Sequence, residues 1–210
     1  MSAFPAADPV APGASRWWDS PRRIAIVRAV LALAWAAALV IAAGGEVPST
    51  SSDVPVAAAA LLASYPAIDI VASIAGALGT GASGRALRVN AAIGVLAVVA
   101  IGAAAFGADA GATLVAFGAW AAVSGAIQLG VAVHLRRTQG RQLPMIVSGA
   151  LSTIAGLGFV ASAGMGDAHL AVVGGYMALG AVLYLLWAHR SRTAPQAARY
   201  RHTTTPTNER

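Results

Sequence analysis

Apolar residues run in six long blocks along the chain, and short polar segments separate them. Each block is long enough to cross about 30 Å of hydrocarbon as an α-helix. The blocks lie near Ile24–Ala43, Val54–Leu78, Leu87–Phe106, Ala112–Val133, Leu143–Ala163 and His169–Ala188. The pattern predicts an all-α integral membrane protein with six transmembrane helices. The first block is longer than the apolar core of a signal peptide, so we expect an uncleaved helix.

Composition agrees with this fold class. Hydrophobic residues make up 58% of the 210 residues and charged residues only 10%, and the mean hydropathy is +0.70. A soluble domain carries about 25% charged residues. The chain has no cysteine, which excludes disulfides and thiolate metal sites.

The charged residues predict the orientation. All fourteen basic residues are arginines, and they lie before or just inside the first block, between blocks two and three, between blocks four and five, or after block six. The other three connections carry Glu46, Asp53, Asp109 and Asp167 and no arginine. Arginine favours the cytoplasmic side, so we expect a multi-pass membrane protein with both termini in the cytoplasm. The use of arginine alone as the basic residue, together with abundant alanine, fits the coding bias of a GC-rich bacterium.

The same distribution bears on partners. The arginines flank lipid instead of lining one soluble face, which argues against nucleic acid. We expect them to meet anionic headgroups, and we expect a second copy or another membrane protein as partner. Residues 1–23 are interpreted as a flexible tail ending in an interfacial anchor, residues 24–188 as the membrane domain, and residues 189–210 as a disordered basic tail.

The chain also shows an internal repeat of about 55 residues. Gly-Ala-Ile at 125–127 recurs as Gly-Ala-Val at 180–182, and His134 recurs as His189. The repeat predicts three consecutive helix hairpins in the same orientation.

In the even-numbered helices this repeat produces stripes with a spacing of four residues, which share one helix face. The stripes are Tyr65, Asp69 and Ser73 in helix two, Trp120, Ser124 and Gln128 in helix four, and Tyr176, Gly180 and Tyr184 in helix six. Polar residues within hydrocarbon face protein, so we expect these stripes to meet inside the bundle.

Four segments carry a resemblance to a known family. They are SYPAIDIVASI at 64–74, FGAWAAVSGAIQLGVAV at 117–133, LPMIVSGALSTIAGLGF at 143–159 and VGGYMALGAVLYLLWA at 173–188. The stretch 115–192 resembles the HdeD-like acid-resistance membrane proteins, which are built from repeated helix pairs. The resemblance implies a six-helix inner-membrane protein linked to acid or envelope stress, and it supplies no catalytic residues. The long N-terminal tail departs from the family pattern.

Asp69 is the main candidate for a functional residue. It lies roughly 13 Å inside helix two at 1.5 Å per residue, and a carboxylate at such a depth costs about 2.5–3.5 kcal/mol on insertion scales. Arg28 enters from the same side and is the arginine able to pair with it. Pro66, three residues before Asp69, is expected to kink the helix. The candidate polar site comprises Arg28, Tyr65, Pro66, Asp69, Ser73, Ser124 and Gln128.

Two interpretations stay open. Asp69 either ties helices together through Arg28, which we favour, or serves a small channel or proton-linked carrier. A dry contact with Arg28 would favour the first, and a wet cavity the second.

No pattern predicts catalysis or a cofactor. The candidate nucleophiles Ser124, Ser152 and Thr153 have no base predicted at their depth, the four histidines form no metal site, and the glycines at 79–84 lack the lysine of a phosphate loop. We therefore expect a protein that is not an enzyme and binds no cofactor or metal.

Overall fold

The chain is described by a computed structural model covering residues 20–42, 52–79, 84–139, 142–165 and 170–190. These ranges hold six α-helices and no strand, and all six are long and apolar enough to span a membrane. The predicted six-helix membrane fold is confirmed. Most of both expected tails, with the loop residues Glu46, Arg141, Asp167 and His169, lie outside the described residues.

The helices follow the apolar blocks and run past several of their ends. They are α1 (Pro21–Ala42), α2 (Val56–Gly79), α3 (Gly84–Gly107), α4 (Ala110–Gln139), α5 (Leu143–Ser162) and α6 (Ala171–Arg190). The largest correction concerns α4, which continues six residues beyond the predicted end at Val133. Hydropathy falls after Val133, whereas helical hydrogen bonding continues through Arg136 and Arg137.

The helices form a closed ring. Each helix packs against its neighbours in the chain, and α6 packs against α1. At the closure, the Arg22 side chain donates from Nε to the Ala188 carbonyl at 3.1 Å. The most extensive contacts lie between α4 and α5, α2 and α3, and α1 and α6. The α2–α3 and α4–α5 pairs therefore join successive hairpins of the predicted repeat, and the α1–α6 pair joins the first helix to the last.

Glycine allows the closest of these contacts. A Cβ atom on Gly149 of α5 would lie 2.7 Å from the backbone nitrogen of Leu129, and one on Gly125 of α4 would lie 2.7 Å from that of Thr153. Any side chain at either position would force α4 and α5 apart. The α4–α5 pair thus uses the small-residue packing common in membranes, where helices gain little from the hydrophobic effect.

The two ends of the bundle differ. One end, where α1, α3 and α5 begin and α2, α4 and α6 end, carries seven arginines of the described chain; we call it the basic end. They are Arg22, Arg23, Arg85, Arg88, Arg136, Arg137 and Arg190. The opposite end, which we call the acidic end, carries Asp53 and Asp109. Asp109 accepts a hydrogen bond from the Ala112 backbone N–H of the first turn of α4.

An aromatic cluster fills the centre of the bundle. It consists of Tyr65 of α2, Phe117 and Trp120 of α4, Phe159 of α5 and Tyr176 of α6, with neighbouring ring centroids 5.3–6.2 Å apart. Toward the acidic end the cluster continues into buried Leu62, Ile101, Leu114 and Val173. This half of the interior is apolar and closely packed.

Large apolar side chains also cover the outside of the helices. Examples are Ile41, Leu96, Val99 and Ile154, each at least 65% exposed. Such a surface is stable in lipid and would aggregate in water. Together with the lengths of the six helices, it defines a polytopic membrane protein.

Candidate functional site

Asp69 lies on the inner face of α2 and is 3% exposed. Its carboxylate binds groups from three other helices. Oδ1 forms an ion pair with Arg28 of α1, while Oδ2 accepts hydrogen bonds from Asn90 Nδ2 of α3 at 2.6 Å and from Ser124 Oγ of α4 at 3.0 Å. One carboxylate therefore connects four of the six helices.

Arg28 balances the charge of Asp69 and contacts the sixth helix. Its guanidinium carbon lies 4.4 Å from the centre of the Tyr184 ring of α6. A cation over an aromatic face is stabilised by the ring quadrupole. With its side chain 23% exposed, Arg28 is more accessible than Asp69.

Asn90 is the site residue that the sequence analysis missed. It is 6% exposed, and its Nδ2 also donates to Ser73 Oγ at 2.9 Å. Both donors of the amide are thus engaged, and Oδ1 is a buried acceptor without a partner among the described residues. A signal existed, because Asn90 is the only asparagine within the six apolar blocks, but its position near the start of the third block resembled an interfacial residue.

Gln128 belongs to a neighbouring set of hydrogen bonds. Tyr184 donates to Gln128 Oε1 at 2.6 Å, and Gln128 Nε2 donates to the Met145 carbonyl of α5 at 3.3 Å. Because Tyr184 also contacts Arg28, this set adjoins the Asp69 cluster without touching the carboxylate. It connects α4, α5 and α6 on the far side of Arg28.

A cavity of about 220 Å³ leads from the basic end to Asp69; we call it the vestibule. Residues from the ends of the helices line its mouth: Pro21, Gly76, Leu87, Leu135, Gln142 and Met145. Its inner end is formed by Arg28, Asp69, Ser73, Asn90, Ser124, Gln128 and Tyr184. The volume holds several water molecules or one small solute. Asp69 therefore pairs with Arg28 and also borders a cavity, which combines the two alternatives.

A second, smaller cavity of about 50 Å³ lies deeper. Arg28, Ser124, Gln128 and Tyr184 line both cavities and separate them. Beyond these four residues the inner cavity meets the aromatic cluster, where Tyr176 and Ser152 share a hydrogen bond of 2.7 Å. The aromatic cluster closes the path toward the acidic end.

Two predicted site residues lie outside the polar cluster, by which we mean Arg28, Asp69, Ser73, Asn90 and Ser124. Tyr65 belongs to the aromatic cluster, where it packs edge-on against Trp120 at 5.8 Å. Pro66 is buried within α2, which runs unbroken from Val56 to Gly79. The stripes of α2 and α4 meet as expected, since Asp69 contacts Ser124 and Tyr65 contacts Trp120.

The described side chains around Asp69 supply a balancing charge and hydrogen bonds, and they do not include a set of metal ligands. Within the described ranges, no three His, Cys, Asp or Glu side chains lie close enough to hold an ion. His134 and His189 are exposed near the basic end, away from Asp69.

No protein-family model matches the chain, and comparisons with curated proteins and with solved structures find no match either. The fold and the site together define the class: a polytopic membrane protein with a buried ion pair beside a one-sided cavity.

Replacing Asn90 tests whether its hydrogen bonds to Asp69 and Ser73 stabilise the protein. Asn90→Leu removes two donors, one of them to a carboxylate, and should lower the free energy of unfolding by about 1–2 kcal/mol. Thermal unfolding of the protein in nanodiscs would measure this loss. Thr153→Val is the control, because the Thr153 hydroxyl donates only within α5, to the Gly149 carbonyl, and its removal should change stability by less than about 0.5 kcal/mol. Equal losses of stability in the two variants would contradict a stabilising role for the Asn90 hydrogen bonds.

Proposed function

We propose that the chain is a non-enzymatic protein of a bacterial inner membrane that binds a partner or a ligand in its vestibule. The proposal is carried by the shape of the interior: the vestibule opens at one end, stops at a polar inner end that holds the ion pair, and is closed beyond by aromatic rings. Such an interior suits binding from one side. The resemblance to HdeD-like proteins extends the proposal to a role in acid or envelope stress.

The orientation follows from the charge asymmetry of the bundle. The seven arginines at the basic end favour the cytoplasmic side, and Asp53 and Asp109 favour the other. The vestibule then opens toward the cytoplasm, both termini are cytoplasmic, and the arginines lie beside anionic headgroups. A second copy of the chain, or another membrane protein, would pack against the apolar outer face.

The bonding of Asp69 supports a structural role for the carboxylate. A buried carboxylate without partners would be costly in hydrocarbon, whereas this one has Arg28, Asn90 and Ser124. The pairing with Arg28 also argues against a base that activates the Ser124 hydroxyl. For this reason we propose binding and assembly instead of catalysis.

Cysteine labelling tests the vestibule and the orientation together, because the natural chain has no cysteine. Ile127 of α4 lines the vestibule, and the adjacent Ala126 is exposed on the outer face of the bundle. A charged, membrane-impermeant thiol reagent should label Ile127→Cys in inverted vesicles at least about tenfold faster than Ala126→Cys, since thiolate forms in water and not in lipid.

Spheroplasts supply the control for sidedness. In these right-side-out membranes neither variant should react. Labelling of Ile127→Cys from the periplasmic side would overturn the orientation, and no labelling from either side would overturn the open vestibule.

A proton-linked carrier is the second candidate, and the observation that favours it is that Asp69 borders the vestibule. Two features argue against it: the aromatic cluster blocks the acidic end, and Asp69 is the only carboxylate in the described interior, whereas a relay needs further titratable groups.

Proton flux distinguishes a binding protein from a proton-linked carrier. In proteoliposomes under an imposed pH gradient, we expect neither wild type nor Asp69→Asn to conduct protons above protein-free liposomes. Asp69→Asn should also unfold at a lower temperature, because Arg28 is left without its counter-ion. Flux through wild type that Asp69→Asn abolishes would establish the carrier and refute the structural role.

A further inference from the structure

The inner end of the vestibule combines balanced charge with incompletely used hydrogen-bonding groups. Arg28 and Asp69 cancel each other, so the described vestibule lining has no net charge. Arg28 carries five N–H donors, and the structure records one acceptor for them among the described residues, Asp69. Asn90 Oδ1 is an acceptor that no described group donates to. One donor group and one acceptor therefore flank the same carboxylate.

We propose that the vestibule is a binding site for a zwitterionic α-amino acid. Its carboxylate binds the remaining N–H groups of Arg28, and its ammonium donates to Asn90 Oδ1. The planar guanidinium matches a carboxylate in geometry and charge. Net neutrality of the ligand keeps the lining balanced, whereas an ion of either sign would leave an uncompensated charge within the membrane.

Asn90 accepts from the ligand because its orientation is fixed. Its Nδ2 donates to Asp69 and to Ser73, and a flipped amide would place its oxygen against the carboxylate. Oδ1 thus remains a buried acceptor, unpartnered among the described residues, on a side chain that lines the vestibule. Asp69 Oδ2 accepts a hydrogen bond from the same amide, and the negative charge of this carboxylate attracts the ammonium group of the ligand.

The walls suggest which side chain the amino acid carries. From the polar inner end out to and including the mouth, the lining is mainly aliphatic, with Ile24, Leu87, Ile127, Val131, Leu135 and Met145. A branched or linear aliphatic side chain would contact these residues and exclude water from the ion pair. A zwitterion with an aliphatic side chain, such as leucine, therefore fits better than a polar one.

This inference rests on the proposed function, because the site must be open to the cytoplasm. Binding is measured on the full chain in nanodiscs, with L-leucine as the probe. At about 10 mM, L-leucine should raise the melting temperature of the wild type by about 3 °C or more, since a ligand that binds only the folded state stabilises it. It should also slow the labelling of Ile127→Cys at least about fivefold.

Two analogues and two variants make the test specific. Isocaproate lacks the ammonium group and isopentylamine lacks the carboxylate, so neither should stabilise the protein. Ile127→Trp fills the vestibule without altering the polar cluster and should abolish the leucine shift. Ala126→Trp adds the same bulk on the outer face and should retain it.

The outcomes separate the ligand from the vestibule. If Ile127→Cys is labelled from the cytoplasmic side but L-leucine neither stabilises nor protects, the amino-acid proposal is overturned and the vestibule stands. Equal stabilisation by isocaproate would overturn the role of the ammonium and of Asn90. If Ile127→Cys is not labelled at all, the proposed function falls first, and the amino-acid site with it.

Discussion

A carboxylate inside a membrane must find its partners within the protein, and this constraint organises the bundle. Asp69 obtains a positive charge from α1, an amide donor from α3 and a hydroxyl donor from α4. Each of these groups is useful only when its helix occupies one position and one rotation relative to α2. Apolar packing in lipid discriminates weakly between such arrangements. The ion pair and its two hydrogen bonds therefore select the arrangement of four helices, and Arg28 extends the selection to α6 through Tyr184.

The interior is consequently divided into two halves. From the basic end to Asp69 it is open, with mainly aliphatic walls and a polar inner end, and beyond the aromatic cluster it is apolar and closed. The 55-residue repeat contributes to this division, since Asp69 and Ser124 occupy equivalent positions and bond to each other across the centre. A pseudo-symmetric bundle thus acquires one asymmetric charge, at the depth where the vestibule ends. Arg28 can neutralise the Asp69 carboxylate because it lies roughly 10 Å into α1 from the basic end.

Much of this could be predicted from residue patterns, and the remainder depends on packing. Hydropathy predicts six helices, and the stripe spacing brings Asp69 to Ser124, because both signals act along one helix. Arg28 was identifiable as the partner because it is the only arginine at a matching depth.

The vestibule and the pairing of α2 with α3 were not predictable, since they depend on how six similar apolar faces are rotated. Asn90 was missed, because in sequence an amide near a helix end resembles an interfacial residue. The extension of α4 was missed because hydropathy reports lipid contact and not helical hydrogen bonding.

A double-mutant cycle tests most directly whether Arg28 and Asp69 stabilise the bundle as one unit. The free energy of unfolding would be measured in nanodiscs for wild type, Arg28→Gln, Asp69→Asn and the double variant. Each single variant leaves one buried charge unpaired and should cost about 3–5 kcal/mol, while the double variant should cost little more than either, giving a coupling of at least about 2 kcal/mol. Additive losses, with no coupling between the two positions, would show that Arg28 and Asp69 do not act as a unit.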